Sequence, residues 1–191
     1  MPSANKFNSD VVSSFQSIIR EYFFTVAESE DYCVRLKSQN VGIRISYDII
    51  RGGEVGFGFC INPCDEEYDL REIYRELEVP NADFYSTCFS ENYQEVISYI
   101  RGTADILQAY CRSVLMGDKK TFMAIELRSS REANIYTRQG QFRATLVRAD
   151  KEWENKEYLE YINLLMNFKD LLSDSDCVKF EYAIKKVEEN Q

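Results

Sequence analysis

The chain has 191 residues, 45% of them hydrophobic, a formal net charge of −9 and no histidine. That length and apolar share suffice for a packed core and argue against disorder, and no run of about 18 apolar residues offers a membrane span. The missing histidine excludes Ser-His-Asp triads, Cys-His dyads and histidine-ligated zinc centres.

Residues 9–26 set Val11, Val12, Phe15, Ile18, Ile19, Tyr22 and Phe23 at helical spacing, with Ser9 or Asp10 as N-cap. Glu28-Ser29-Glu30-Asp31 interrupts this pattern, and the period then changes to two. Tyr32, Val34 and Leu36 form one alternating run. Val41, Ile43, Ile45 and Tyr47 form the next beyond a turn at Ser38-Gln39-Asn40, and Val55, Phe57, Phe59 and Ile61 follow Arg51-Gly52-Gly53. This predicts a three-stranded antiparallel meander with one apolar face, covered by the first helix. Gly56 and Gly58 fall on the other face, where a bulge, a closely packed element or a ligand comes near the backbone.

Residues 65–78 read as a helix with Leu70, Ile73, Tyr74 and Leu77 inward and an i, i+4 pair between Glu67 and Arg71. Pro80 stops it, and residues 81–89 form a loop carrying Phe84 and Tyr85. Residues 90–115 resume helical spacing through Val96, Ile100, Leu107 and Val114, with a kink expected at Gly102 and a cap at Gly117. Asp118 opens a helix holding Phe122, Ile125 and Leu127. Residues 128–148 have no legible period and carry Arg128, Arg131, Arg138, Arg143 and Arg148 against Glu132. Residues 149–172 are helical through Trp153, Tyr158, Ile162, Leu165 and Phe168, and a last helix spans 175–187. The fold class is α+β, with a helix-and-meander subdomain over 1–85 and a helical subdomain over 86–191 packed with it as one unit.

Charge is the most localised feature. Between Asp48 and Glu95 twelve acidic residues face Arg51, Arg71 and Arg75, so the window carries 3 − 12 = −9, the charge of the whole chain. Three readings stay open: a solvated face, internal pairing with the arginines of 128–148, or a docking face for a basic protein. A docking face is assigned to Glu66, Glu67, Asp69, Glu72, Glu76 and Asp83, with Tyr68, Phe84 and Tyr85 as its aromatic part. Asp65, Glu66, Glu67 and Asp69 could serve a divalent cation, but no EF-hand spacing, phosphate loop or nucleophile elbow accompanies them.

Cys33, Cys60, Cys64, Cys88, Cys111 and Cys177 lack a framework spacing and are expected to be free thiols. Cys60-x3-Cys64 has no further ligands, so neither metal nor cofactor is expected. Arg138, Arg143 and Arg148, with Tyr136 and Phe142 between them, offer phosphate and stacking contacts, but a net charge of −9 repels a polyanion. The start of the chain shows no signal-peptide stretch, and cytoplasmic residence is expected.

A helix, an alternating hairpin, the Tyr47-Asp48 strand end and Tyr68-Asp69-Leu70 opening a helix resemble small bacterial α+β proteins of the toxin-immunity type. The resemblance covers about half the chain and carries no functional residues across. It implies an immunity protein that neutralises a basic toxin. Ala149-x3-Trp153-x4-Tyr158-x3-Ile162 is similar to part of a tetratricopeptide-type hairpin, yet no second copy is visible, so an ordinary helix pair with a Trp anchor is expected. Together these give a non-enzymatic, acidic protein-binding module. The alternative is an accessory subunit of a larger bacterial defence-type assembly, contacting it through the helices after Asp118. A carboxylate-dependent metal hydrolase comes third.

Overall fold

The first helix, α1 (Ala4–Ser14), begins five residues before the expected cap, because the Ser3 hydroxyl accepts the Lys6 amide and closes the turn there. In the computed structural model, which describes residues 3–62, 67–82 and 87–189, the chain forms two compact units, Met1–Ser129 and Ser130–Gln191. The subdomains expected from the sequence, 1–85 and 86–191, are drawn on a change of pattern and not on contacts. No helix among the described residues is long and apolar enough to cross a membrane.

In the first unit, the buried Phe15 adopts non-helical angles and separates α1 from α2 (Gln16–Glu21), where a single helix was expected. A four-stranded meander follows: β1 (Thr25–Glu30), β2 (Cys33–Lys37), β3 (Val41–Asp48) and β4 (Glu54–Ile61). β1 was missed because it is an edge strand with all six residues exposed, so it shows no apolar alternation. It is bulged between Val26 and Glu28, and Glu28 lies opposite Arg35 with 3.3 Å between carboxylate and guanidinium. The other three strands keep the expected alternation.

Two short strands complete the sheet: β5 (Tyr68–Asp69), opposite Phe59 and Gly58, and β6 (Cys88–Phe89), opposite Val55 and Glu54. The inward face of Val34, Leu36, Ile43, Ile45, Tyr47, Phe57 and Phe59 is buried. It shares one core with α1 and with α4 (Tyr93–Tyr110). Phe7 stacks on Tyr47, Phe15 meets Phe57, and the Tyr93 hydroxyl donates to Asp10 at 2.6 Å, tying α4 to α1. These buried rings supply much of the core's apolar area.

α3 is shorter than expected (Leu70–Glu76), because β5 occupies the two residues ahead of it. The kink expected at Gly102 falls instead at Cys111, between α4 and α5 (Arg112–Leu115). A side chain at Gly102 would meet open space, whereas the buried Cys111 turns the chain so that Val114 and Leu115 also enter the core. Gly117 ends α5 at φ +72°, and a Cβ there would lie 2.5 Å from Asn40.

Asp118 caps α6 (Lys119–Glu154) as expected, accepting from the Thr121 amide and hydroxyl. The unassigned residues 128–148 all belong to this 36-residue helix. In the second unit, the end of α6 packs with α7 (Tyr158–Leu165), a 3-10 turn (Met166–Leu171) and α8 (Asp174–Glu189). The helix expected over 149–172 is therefore interrupted at residues 155–157, where Lys156 takes φ +64°. Ala149, Tyr161, Ile162, Leu165, Phe180 and Ala183 form the core of this unit. Trp153 lies against Tyr158, Tyr161 and Tyr182 with centroids 5.3–5.6 Å apart.

Candidate functional site

The acidic segment is built on the outer face of the sheet and on α3. Arg44 stands on the outward side of β3, where Gly58 faces it in register on β4. Its Nη2 donates to Glu67 Oε2 at 2.6 Å, its Nε at 2.9 Å, and its Nη1 reaches Ser46 Oγ at 3.0 Å. Gly58 makes room for this pair: a Cβ there would lie 2.5 Å from the Glu67 carboxylate. The hydrogen bond from Arg44 holds the Glu67 carboxyl below its ordinary range and raises the guanidinium. Glu67 thus lies ahead of α3 and is engaged by Arg44, not held in a helix four residues from Arg71.

Asp69 and Glu72 form a capping box. Asp69 Oδ1 accepts the Glu72 amide at 2.8 Å, and Glu72 Oε2 accepts the Asp69 amide at 2.7 Å. The other Glu72 oxygen accepts the Ser129 hydroxyl at 2.6 Å. Glu76 lies 3.9 Å from Arg128, which also donates to the Arg75 carbonyl. Tyr68 is buried against Phe122 and belongs to the core. Glu66, Asp83, Phe84 and Tyr85, with Asp65 and Cys64, lie outside the described residues.

Four of the expected contact acids are therefore joined to this chain's own groups, two of them to arginines. Arg44 and Arg128 come from outside the window. The first unit still carries 13 basic against 20 acidic residues, 13 − 20 = −7.

The arginine-rich part of α6 is arranged differently from what its sequence suggested. Arg138 makes two hydrogen bonds to Asp170, at 2.6 and 2.8 Å, and a third to the Asn167 carbonyl. Phe142 packs on Phe168. The stacking and phosphate-binding set imagined around Tyr136 is thus partly engaged within the second unit. Tyr136 itself is 80% exposed.

Among the described residues, no group of three or more His, Cys, Asp or Glu side chains is placed to hold a metal ion. The strongly perturbed groups sit in the core. Burial pushes the Cys111 thiol and the Tyr99 phenol each up to about 12, and Tyr74 higher still. A thiol so shifted is a small hydrophobe, not a poised nucleophile. Cys33, Cys88 and Cys177 are also free.

One surface was not legible in the sequence. Residues 131–140 of α6 are all exposed, and the side that carries Arg138 reaches Asp170 and Asn167 without burying an apolar face. Ile135 is 58% and Val147 is 62% exposed. The available signal was negative: residues 128–148 lack a period because almost no position is buried. No family model, curated protein or solved structure matches the chain.

Proposed function

We propose that this protein is a non-enzymatic protein-binding module whose contact lies on the exposed stretch of α6. The observation that carries this reading is a helical stretch over residues 131–140 that buries no face, although Gly140 and four weak helix formers stand among its ten residues. Gly140 costs roughly 1 kcal/mol relative to Ala, and Asn134, Ile135, Tyr136 and Thr137 each cost up to roughly 0.7 kcal/mol. Helices in water owe most of their stability to a packed face. A partner lying along Ile135 and Tyr136 supplies such a face, as in an accessory subunit of a larger assembly.

The test is hydrogen exchange on the purified chain, alone and with each protein encoded beside its gene. Protection of residues 131–140 that appears only in a complex is the expected result. The double variant Ile135→Asp, Tyr136→Asp should keep its stability within about 0.5 kcal/mol, since both side chains are exposed, and lose at least tenfold in affinity. A complex in which residues 131–140 exchange as fast as in the free chain would sink the proposal.

A second reading rests on the −7 charge that remains on the first unit after its internal pairs are counted. Such a field steers a basic protein, including a toxin of the immunity type, even where individual carboxylates are engaged. Exposed Glu78 and Glu91 are the acids to reverse. The expected signature is an association rate that falls with salt and falls again in the Glu78→Lys, Glu91→Lys variant. A rate insensitive to both removes this reading.

A further inference from the structure

α2 closes with a Schellman arrangement in which the Phe24 amide donates to the Ile19 carbonyl at 3.0 Å and Phe24 is buried beneath it. The left-handed residue of such a cap is ordinarily glycine. Here it is Phe23, at φ +58°, with its ring 85% exposed. Both features are unfavourable for an isolated chain. A bulky residue at positive φ is strained, and the ring gains nothing from solvent. Neither helps the fold, because Phe24 supplies the buried contact.

Beside Phe23 lies an open pocket of about 380 Å³ with Tyr22, Leu115 and Met116 in its wall and the Ser38-Gln39-Asn40 turn at its edge. Its shape is held by the chain itself. Asn40 Nδ2 donates to the Met116 carbonyl at 3.2 Å, and Gly117 lets the Asn40 and Val41 side chains close onto that turn. Met116 is 55% exposed. Exposed Glu21 and Arg112 both line the pocket, one acid and one base. No ion pair joins them among the described contacts, and both act on Tyr22: burial raises its phenol, Glu21 adds to the rise and Arg112 opposes it.

One patch therefore carries an aromatic projection and a recess of mixed lining with an apolar wall of Tyr22, Leu115 and Met116, an acid and a base. A surface holding each feature together with its complement satisfies the requirement for two-fold self-association. We infer that this patch is an isologous contact between two copies of the chain. Each Phe23 enters the partner's recess over Leu115 and Met116, and Glu21 of each copy faces Arg112 of the other. The area is small. A ring buries roughly 150–250 Å², so two copies fall below the roughly 1,200 Å² of a stable interface. A weak, concentration-dependent dimer is the expected outcome, separate from any contact made by α6.

Sedimentation equilibrium of the full chain between about 10 μM and about 1 mM reads this directly, in the range of weak association. The weight-average mass should climb from 22.4 kDa toward twice that value for wild type. Phe23→Gly should stay monomeric throughout while melting at the same temperature or higher, because glycine relaxes the left-handed position. Glu21→Arg should shift the association curve to at least threefold higher concentration, and adding Arg112→Glu should return it. A wild-type chain that is monomeric at about 1 mM, or a Phe23→Gly chain that associates like wild type, overturns the inference. So does a fall in the melting temperature of Phe23→Gly, since Phe23 would then be a structural residue.

Discussion

Replacing Asp69 by Ala separates a structural carboxylate from a docking one. Its side chain accepts the Glu72 amide at 2.8 Å, and Glu72 returns the bond to the Asp69 amide while its second oxygen takes the Ser129 hydroxyl. Losing the cap costs about 1 kcal/mol, within a range of roughly 0.5–2. Loosening Glu72 removes roughly another 0.5–1 kcal/mol of hydrogen bonding. The sum is about 1.5–2 kcal/mol. For a unit of this size that corresponds to a drop in melting temperature of about 5–8 °C. Asp69→Ser removes the same charge but keeps a hydroxyl that caps nearly as well, so it should remain within about 0.5 kcal/mol of wild type. Urea titration followed by circular dichroism at 222 nm gives both values from the midpoints if the slopes agree. The reasoning fails if Asp69→Ala matches wild type, or if Asp69→Ser loses as much as Asp69→Ala. The second result would mean that charge, not capping, holds the start of α3.

The Arg44–Glu67 pair should make stability depend on pH in a defined direction. The folded Glu67 carboxyl is held below its unfolded value, so its contribution is fully present above about pH 4.3 and fades as pH falls through the lower folded value. Because the two side chains are 33% and 37% exposed, Glu67→Gln should cost no more than about 1 kcal/mol at pH 6 and converge with wild type once pH has fallen below the lowered folded value; a gap that widens on acidification contradicts the pairing. In the second unit, Trp153→Ala removes a ring packed on three tyrosines and should cost about 3–5 kcal/mol. That unit has 191 − 129 = 62 residues, so a loss of this size is comparable to its whole stability of roughly 3–9 kcal/mol. Limited proteolysis should then cut within residues 155–189 while residues 3–62 resist; an intact second unit would show that its core does not depend on Trp153.

Much of the first unit was written in local pattern. The alternation of Val34 and Leu36, then Val41 to Tyr47, then Val55 to Ile61 specifies three strands and the face each buries, because the side-chain period of a strand is two. The cap at Asp118 was equally readable, being a contact between a side chain and amides two and three residues away. Elements that carry no buried face left no such trace. β1 and residues 131–140 of α6 are exposed at every position, so hydrophobic period could not report them.

The gathering of acidic residues between Asp48 and Glu95 is a property of the sequence alone, and so is the long-range field it produces. What those carboxylates touch was decided by tertiary structure. Arg44 reaches Glu67 across 23 positions of chain, Ser129 reaches Glu72 across 57, and Arg128 meets Glu76 on a helix whose period was hidden. Gly58 had no meaning as a single residue until β3 and β4 paired and placed the ion pair above it. Local preference acts over a few residues, whereas an ion pair needs only proximity in space. Proximity of distant residues exists only once the sheet has closed and α3 and α6 have taken their places in the first unit.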